Sequence, residues 1–468
     1  MPSPQPAPVD QRPPAATASP PSPDGTGQDA PIASPGPATA PSGNSQLPTI
    51  TVSGKRRPPP QRRSARAPKN ATGPSTTEAA APAPASPYET GAPNIAGGPA
   101  VAPTVASQMT ASGADLNARP ITRPGEILEA TPGLAVVMHA DGGKANQYYL
   151  RGWNLDHGTD LATFWDDIPI NLPTHAHGQG YTDLNWLIPE TVSGLDIRKG
   201  PHWADVGDFE NAGNLRISVV DTAPQNIESV TVGSFDYQRY LALGSTKAGD
   251  GNLLYAGEFT GYDGPWTSSD DMKKFSGLLR YSQGTTTDGF SLTGMAYTNT
   301  WNSTDQNALR YYTTGQMGLY GTFDPTDGGD TSRFSLSGRI AQTTDDGSWK
   351  ANVFLVKYTM DLWNNYTYDT HDPTFGDQFH QHDDRIYGGG GASRTFVGTL
   401  GSLPTETVFG VQGRDDNIIT ALNYSDQRFL LAPYIYDRVN EGNAAVYAEN
   451  TVHWTDWLRT VVGWRGDY

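Results

Sequence analysis

Cysteine is absent from the 468 residues, which excludes a disulfide framework and any thiolate metal site. A run of 18 apolar residues is absent too, so no transmembrane helix is available, and a membrane can be crossed only by strands closed into a barrel. Basic residues are scarce: 32 Lys and Arg against 49 Asp and Glu leave a net charge of -17. That is the wrong sign for a polyphosphate, and it excludes nucleic acid as a partner. The opening Met1-Pro-Ser-Pro-Gln-Pro-Ala-Pro is neither basic nor apolar, so it does not read as a secretory leader.

What is present is aromatic: 22 Tyr and 11 Trp among modest numbers of aliphatics. That mixture suits strands half exposed to lipid and half to water, with rings gathered at the two interfaces. Residues 1–46 are Pro, Ala, Ser and Gly, with too little apolar surface to offset ordering entropy, and read as a disordered Pro/Ala-rich tether. Leu47-Pro-Thr-Ile-Thr-Val-Ser-Gly54 is a short β-prone segment of the kind that adds to the edge of another protein's sheet. Residues 55–69 carry seven Lys or Arg and no acid, and low-complexity sequence continues to 118. Order is expected from Arg119. Pro124 suits the first turn of a short helix with Ile127 and Leu128 facing a core, and Thr-Pro-Gly133 ends it. Val136-Val-Met138 and Gln147-Tyr-Tyr-Leu-Arg151 read as strands about an Asp141-Gly-Gly143 turn.

From about residue 227 the texture becomes a succession of strands. In Phe334-Ser-Leu-Ser-Gly-Arg-Ile340 one side is apolar and the other polar, the period-2 pattern of a strand between lipid and a wet lumen. Short turns such as Lys247-Ala-Gly-Asp-Gly-Asn and Thr344-Asp-Asp-Gly alternate with long polar links such as Asn364 to His382. A soluble β-sandwich shares the alternation but not the unequal links.

Six segments carry a resemblance. They are Leu47 to Ser53; Pro124-Gly-Glu-Ile-Leu-Glu-Ala-Thr-Pro-Gly133-Leu-Ala-Val; Tyr149-Leu-Arg151-Gly152; and Phe164-Trp-Asp166-Asp167-Ile-Pro169-Ile. They continue with Ile188-Pro189 through Leu195-Asp196-Ile-Arg198-Lys-Gly200-Pro201, and with Asn211-Ala-Gly213-Asn-Leu-Arg-Ile217. In this order and spacing the chain from 47 onward resembles a TonB-dependent outer-membrane receptor of a divergent subfamily. Asp167 stands where the family has Gly and Asp196 where it has Glu, Asn214 follows a single Gly213, and His202-Trp-Ala-Asp-Val-Gly207 replaces a small-residue step.

The resemblance implies a mainly β protein. A small α/β plug domain (119–226) would sit inside an antiparallel transmembrane β-barrel of about 22 strands, with 227–468 supplying roughly half of it. The remaining bounds are the tether (1–46), a TonB-box-like segment at 47–54 with Thr49, Ile50, Thr51, Val52 and Ser53, and a linker (55–118). The chain is expected to be truncated, stopping in mid-strand at Trp464 to Tyr468 with an open half-barrel edge; at the other end, a protein that is not exported and a start placed wrongly both stand. The implied function is TonB-energised uptake of an iron-siderophore or other metal chelate across the outer membrane of a Gram-negative bacterium. The implied partners are a TonB-type energy-coupling protein in the periplasm, the extracellular ligand and membrane lipid. No enzyme activity and no resident cofactor are expected. The alternative is a surface β-protein without active transport, an adhesin or passive porin.

Candidate ligand contacts fall at the expected plug apex: Trp153, His157, Asn171, His175, His177, Gln179 and Tyr181. Neutral imidazole suits Zn, Cu, Ni or Fe, and His-x-His on extended backbone sets two rings on one side. Direct ligation and a merely hydrogen-bonded loop both stand at this point. His-Ala-His is followed by Gly-Gln-Gly with no acid until Asp183, unlike the ligand sets of metallohydrolases. The resemblance also implies ion pairs from the plug arginines Arg151 and Arg198 to acids on the inner barrel wall, with Glu258 and Glu449 as candidates.

Overall fold

In a computed structural model, residues 107–138, 142–373 and 376–468 are described; Thr49 to Ser53 and Asp141 lie outside them. An inner domain comes first. Its five-stranded sheet is ordered β1 (Gln108–Ser112), β7 (Val192–Lys199), β8 (Gly213–Val219), β5 (Leu161–Trp165) and β6 (Ile168–Pro169). A second small sheet joins β2 (Leu134–Val137), β3 (Gln147–Leu150) and β4 (Trp153–Asn154). The expected short helix is a 3-10 turn, Pro124–Ala130, with Ile127 and Leu128 fully buried. Proline at its start lacks only an N–H that the first turn leaves unpaired anyway. β3 ends where Arg151 and Gly152 both take positive φ, 54° and 80°.

Order begins before Arg119. β1 pairs antiparallel with β7 in a register from Gln108↔Arg198 to Ser112↔Gly194, and α1 (Gly113–Asn117) follows, capped by the Ser112 side chain. Gln-Met-Thr-Ala-Ser alternates polar and apolar but is too short and weakly apolar, with only Met109 and Ala111, to stand out as a strand from the low-complexity sequence before it. It is a strand because the edge of β7 offers unpaired backbone groups, which local sequence does not reveal.

Eleven strands follow as one antiparallel sheet in chain order, β9 (Ile227–Val232), β10 (Gln238–Ala248), β11 (Gly251–Tyr262), β12 (Met272–Gly284), β13 (Gly289–Asn302), β14 (Gly328–Thr344), β15 (Gly347–Asn364), β16 (Gln378–Leu400), β17 (Leu403–Asp426), β18 (Phe429–Thr455) and β19 (Leu458–Asp467). That is half of the 22 strands of the expected architecture. Phe334, Leu336 and Ile340 point outward while Arg333, Ser335 and Ser337 are buried against the inner domain, as the alternation predicts. Tight turns link β10 to β11, β14 to β15 and β16 to β17 at one end. Residues 263–271, 303–327 and 365–377 fill the other, the end that the rule of short periplasmic turns assigns to the outside in a barrel of the expected kind. The strands β16, β17 and β18, of 23, 24 and 27 residues, far exceed the ~9–11 needed to cross a bilayer and rise beyond it. The link expected from Asn364 to His382 is shorter than predicted, since β16 begins at Gln378 and already contains His380 and His382.

Candidate ligand site at the plug apex

Between β6 and the 3-10 turn Pro189–Thr191 the chain makes a loop pinched at its neck by a Leu172↔Tyr181 bridge. Asn171 closes it from inside. Its Nδ2 donates to the carbonyls of Gly158 (2.9 Å) and Leu161 (3.0 Å), and its Oδ1 accepts from the Thr163 N–H (2.7 Å). Gly180, at φ 75°, has no room for a Cβ, which would stand 2.8 Å from the Phe209 ring.

The wall grips the same loop. Arg385 on β16 donates to the carbonyls of Pro173 (2.7 Å) and Thr174 (3.2 Å), and Arg414 on β17 to that of Asn171 (2.9 Å). Arg385 is held in turn by Asp383 and Asp416, and Arg414 by Asp416. Thr174 Oγ1 donates to Glu441 on β18 (2.8 Å).

Three histidines and a tyrosine meet here. His175 lies flat on Tyr181, ring centres 4.1 Å apart and planes 8° apart. His157 and His177 meet edge to face at 4.7 Å, with 3.1 Å between their Nε2 atoms. His157 Nδ1 faces the carbonyl oxygens of Ala145 (3.0 Å) and Asn146 (3.1 Å), so its proton sits there and Nε2 turns a lone pair toward His177. His177 Nδ1 lies 2.7 Å from the Gln381 side-chain amide on β16, and the buried Tyr181 hydroxyl accepts from the Ala145 N–H (2.7 Å).

Burial, reinforced by the nearby Lys144 ammonium, pushes His157 down to about 4. Burial first, and then Arg385 for His175 or Lys144 for His177, holds those two well below the ordinary imidazole value. All three rings are neutral at neutral pH, the form that binds metals. Asp183, fully buried behind them, is pushed up to about 6 by burial, which its bond from the Asn185 N–H and the Arg333 charge only partly offset.

The predicted contacts therefore divide. His157, His175, His177 and Tyr181 come together, and Asn171 acts as the scaffold beneath them. Gln179 stands exposed on the loop, its Oε1 accepting from the Thr174 N–H (2.7 Å). Trp153, 72 % exposed on β4, makes none of these described contacts. Sequence reasoning missed Gln381, Asp383, Arg385, Arg414 and Asp416. Their one signal was Asp383-Asp-Arg385 and Arg414-Asp-Asp416, charge triplets interrupting otherwise amphipathic strands.

The plug-to-wall ion pairs need correcting. Arg198 pairs within the plug, with Asp196 (2.9 Å) and Asp205 (3.0 Å), beneath Trp203, and Arg151 is exposed. The pairs that cross to the wall run with the opposite polarity, cation on the wall and acid on the plug. Arg239 binds Glu190 (2.8 Å), and Arg280 binds Asp166 (2.5 Å). Arg339 and Lys350 approach Asp167 at 3.6 and 3.9 Å. Glu258 does take part, through Arg239 and Lys274; Glu449 meets the plug at the Ala204 backbone. Asp166 and Asp167 both sit in a turn at positive φ, 49° and 70°. Burial opposes the Asp167 charge, but Lys350, Arg339 and Arg216 together hold its carboxyl well below the usual range.

Residues 101–214 match the family model of the TonB-dependent Receptor Plug Domain. The domain inside the wall is a TonB-dependent receptor plug. Around it, 77 % of the chain is similar in fold to the copper transporter OprC (17 % identity, TM-score 0.57) and to the ferric citrate transporter FecA in its unliganded form (13 %, 0.62), covering 55 % of each. The same share is similar to the ferric yersiniabactin uptake receptor FyuA from Yersinia pestis (14 % identity, TM-score 0.57), covering 56 % of it. The chain thus spans little more than half the length of these receptors. No curated protein matches the sequence significantly. The TonB-dependent receptor resemblance holds over the segments from Pro124 to Ile217, Leu47 to Ser53 lying outside the described residues, and so does the mainly β, plug-within-sheet architecture.

Proposed function

We propose that this TonB-dependent receptor takes up a scarce extracellular metal chelate across the outer membrane of a Gram-negative bacterium. The ligand is held at the plug apex by the loop bearing His175 and His177, and uptake is driven by a TonB-type protein that captures Thr49 to Ser53. The observation that carries this reading is the cluster of three neutral imidazoles at the extracellular end, against the wall. Two nitrogens ~2.0–2.1 Å from one ion lie roughly 3 Å apart, and the His157 and His177 Nε2 atoms are 3.1 Å apart. A cation between them satisfies both lone pairs when His177 Nδ1–H donates to Gln381. The plug's seal against the wall by Arg385 and Arg414 speaks for gated passage over a passive pore. A cleft of ≈ 530 Å³ between plug and wall, lined by Glu190, Arg239 and Tyr237 among others, offers space for rearrangement. No chemistry is done on the ligand.

Deleting Thr49 to Ser53 is expected to leave ligand binding intact and abolish uptake; unchanged uptake retires energised transport. For the site, calorimetry of wild type against the His175→Ala/His177→Ala pair with metal-loaded and metal-free chelates is decisive. Affinity unchanged for every chelate removes the apex from the mechanism.

A further inference from the structure

A second group of histidines lies on the other face of the wall. Inward-facing positions of β16 are Asp383, Arg385 and Tyr387, all buried against the plug; His380 and His382 belong to the alternate face. Register places Asp330 of β14 opposite Asp361 of β15, and Asp361 opposite His382. One step nearer the extracellular end, Trp363 stands opposite His380, and His380 opposite Asn423 of β17. Below this patch the same outward face carries the Lys357–Asp384 ion pair. Below that come Leu355 and Ile386, exposed at 56 % and 51 % as lipid-facing residues are. The patch therefore stands just above the apolar band, outside the lumen.

We propose that Asp361, His380 and His382 bind one divalent ion of the imidazole-preferring class, Zn(II), Ni(II) or Cu(II), on the outer wall, with Asp330 as a further carboxylate. Among the described residues these three form the group whose ligand atoms all lie within 4.8 Å of one another. His380 Nε2 and His382 Nδ1 converge on the same Asp361 oxygen, at 2.6 and 2.7 Å. An ion at the point of convergence needs ligand atoms roughly 3–3.5 Å apart, so it enters by a small spreading of side chains at the ends of well-paired strands. Two imidazoles with one carboxylate select transition metals over Ca(II) and Mg(II), which prefer oxygen.

Two independent features mark the place as built for a cation. Directly opposed carboxylates on neighbouring strands repel, yet Asp330 and Asp361 hold such positions, an arrangement that a bound cation turns favourable. The His380 ring is also fixed. It stacks on Trp363 at 4.7 Å and 19°, Arg428 covers that indole, and Nδ1 lies 3.1 Å from the Asn423 amide. As placed, the Asn423 Nδ2 donates to Nδ1 and Nε2–H points at Asp361; metal at Nε2 requires the Asn423 amide to turn its oxygen to Nδ1–H, the outer-shell support that metal-binding histidines have.

The test uses the full chain in detergent, stripped with chelator and titrated calorimetrically with ZnCl2. One equivalent is expected here, its affinity falling more than ~10-fold in His382→Ala and in Asp361→Asn, and unmoved in His177→Gln. Wild type loaded with one equivalent of Cu(II) is expected to show two coupled imidazole nitrogens by pulsed electron paramagnetic resonance, and one after His382→Ala. Affinity unchanged in both wall variants, or lost only in His177→Gln, overturns the proposal. Should the wall variants not fold, Cu(II) loaded into His177→Gln, which lacks the inner pair, decides: absence of two imidazole nitrogens there overturns the site.

Discussion

Gln381 touches a plug histidine, while its neighbours His380 and His382 face the other way, so one strand separates two groups of histidines with opposite surroundings. Inside, the carboxylates nearest the rings stand 3.7 Å from His157 and 3.9 Å from His175, and the rings pack on one another and on Tyr181. Outside, two rings share one oxygen of Asp361. The difference teaches that histidine count says little about chemistry. A carboxylate within hydrogen-bond reach gives the outer rings a partner that a cation can share, whereas the inner rings, without one, stay neutral by burial.

The inner group depends on Arg385, which occupies both oxygens of Asp383 (2.7 Å each) and so keeps that acid from His175. Arg385→Ala is expected to cost about 3–5 kcal/mol, because it strands a buried carboxylate. It should also raise the His175 pKa as Asp383 turns to it, erasing the contrast between the two faces; thermal unfolding and histidine NMR titration check both.

Asp183→Asn tests the shared background of burial. Its carboxyl titrates near 6 in the fold against 3.8 unfolded, so the native state binds the proton more tightly and stability falls as pH rises through that window. The variant is expected to gain roughly 2 kcal/mol at pH 7 and to lose that slope in thermal melts at pH 4 and 7. Tyr181→Phe sharpens the contrast instead. It removes the acceptor for the Ala145 N–H at a cost of about 1 kcal/mol while keeping the stack on His175, which should stay neutral by NMR.

Acid acts on the loop through His157. His157, with its value lowered to about 4, supports the fold fully above the unfolded value of 6.5, and that support fades as pH falls from there through about 4. Protection of the amides across 171–186, taken relative to their intrinsic exchange rates, should fall between pH 6.5 and 4 in wild type and far less in His157→Gln.

Much of this was legible in the residues. Phe334 to Ile340 announced a two-faced strand because side-chain period follows from pleat alone, and the His-Ala-His loop was recognisable from its place between two proline-marked strands. What stayed hidden depends on register between distant strands. Gln381 meets His177 across 204 residues, and no local pattern pairs them. The polarity of the plug-to-wall bridges was hidden for the same reason: Asp167 read as a departure from a glycine and Asp166 as part of the family's strand, not as anchors for Arg280, Arg339 and Lys350. β1 was invisible because the edge it completes belongs to β7.

That edge strand has a mechanical meaning. β1 is the first described strand after the long N-terminal stretch, joined to β7 over only five residue pairs, whereas the wall pins the plug by buried charge at Asp166 and Glu190 and by backbone grip at Pro173. Tension arriving from the N-terminal side loads β1 first, and its few hydrogen bonds at a sheet margin open before any charged anchor slips. The plug is thus built with a fuse at one end and rivets elsewhere, so a modest pull can unravel a thread of it while the rest stays seated.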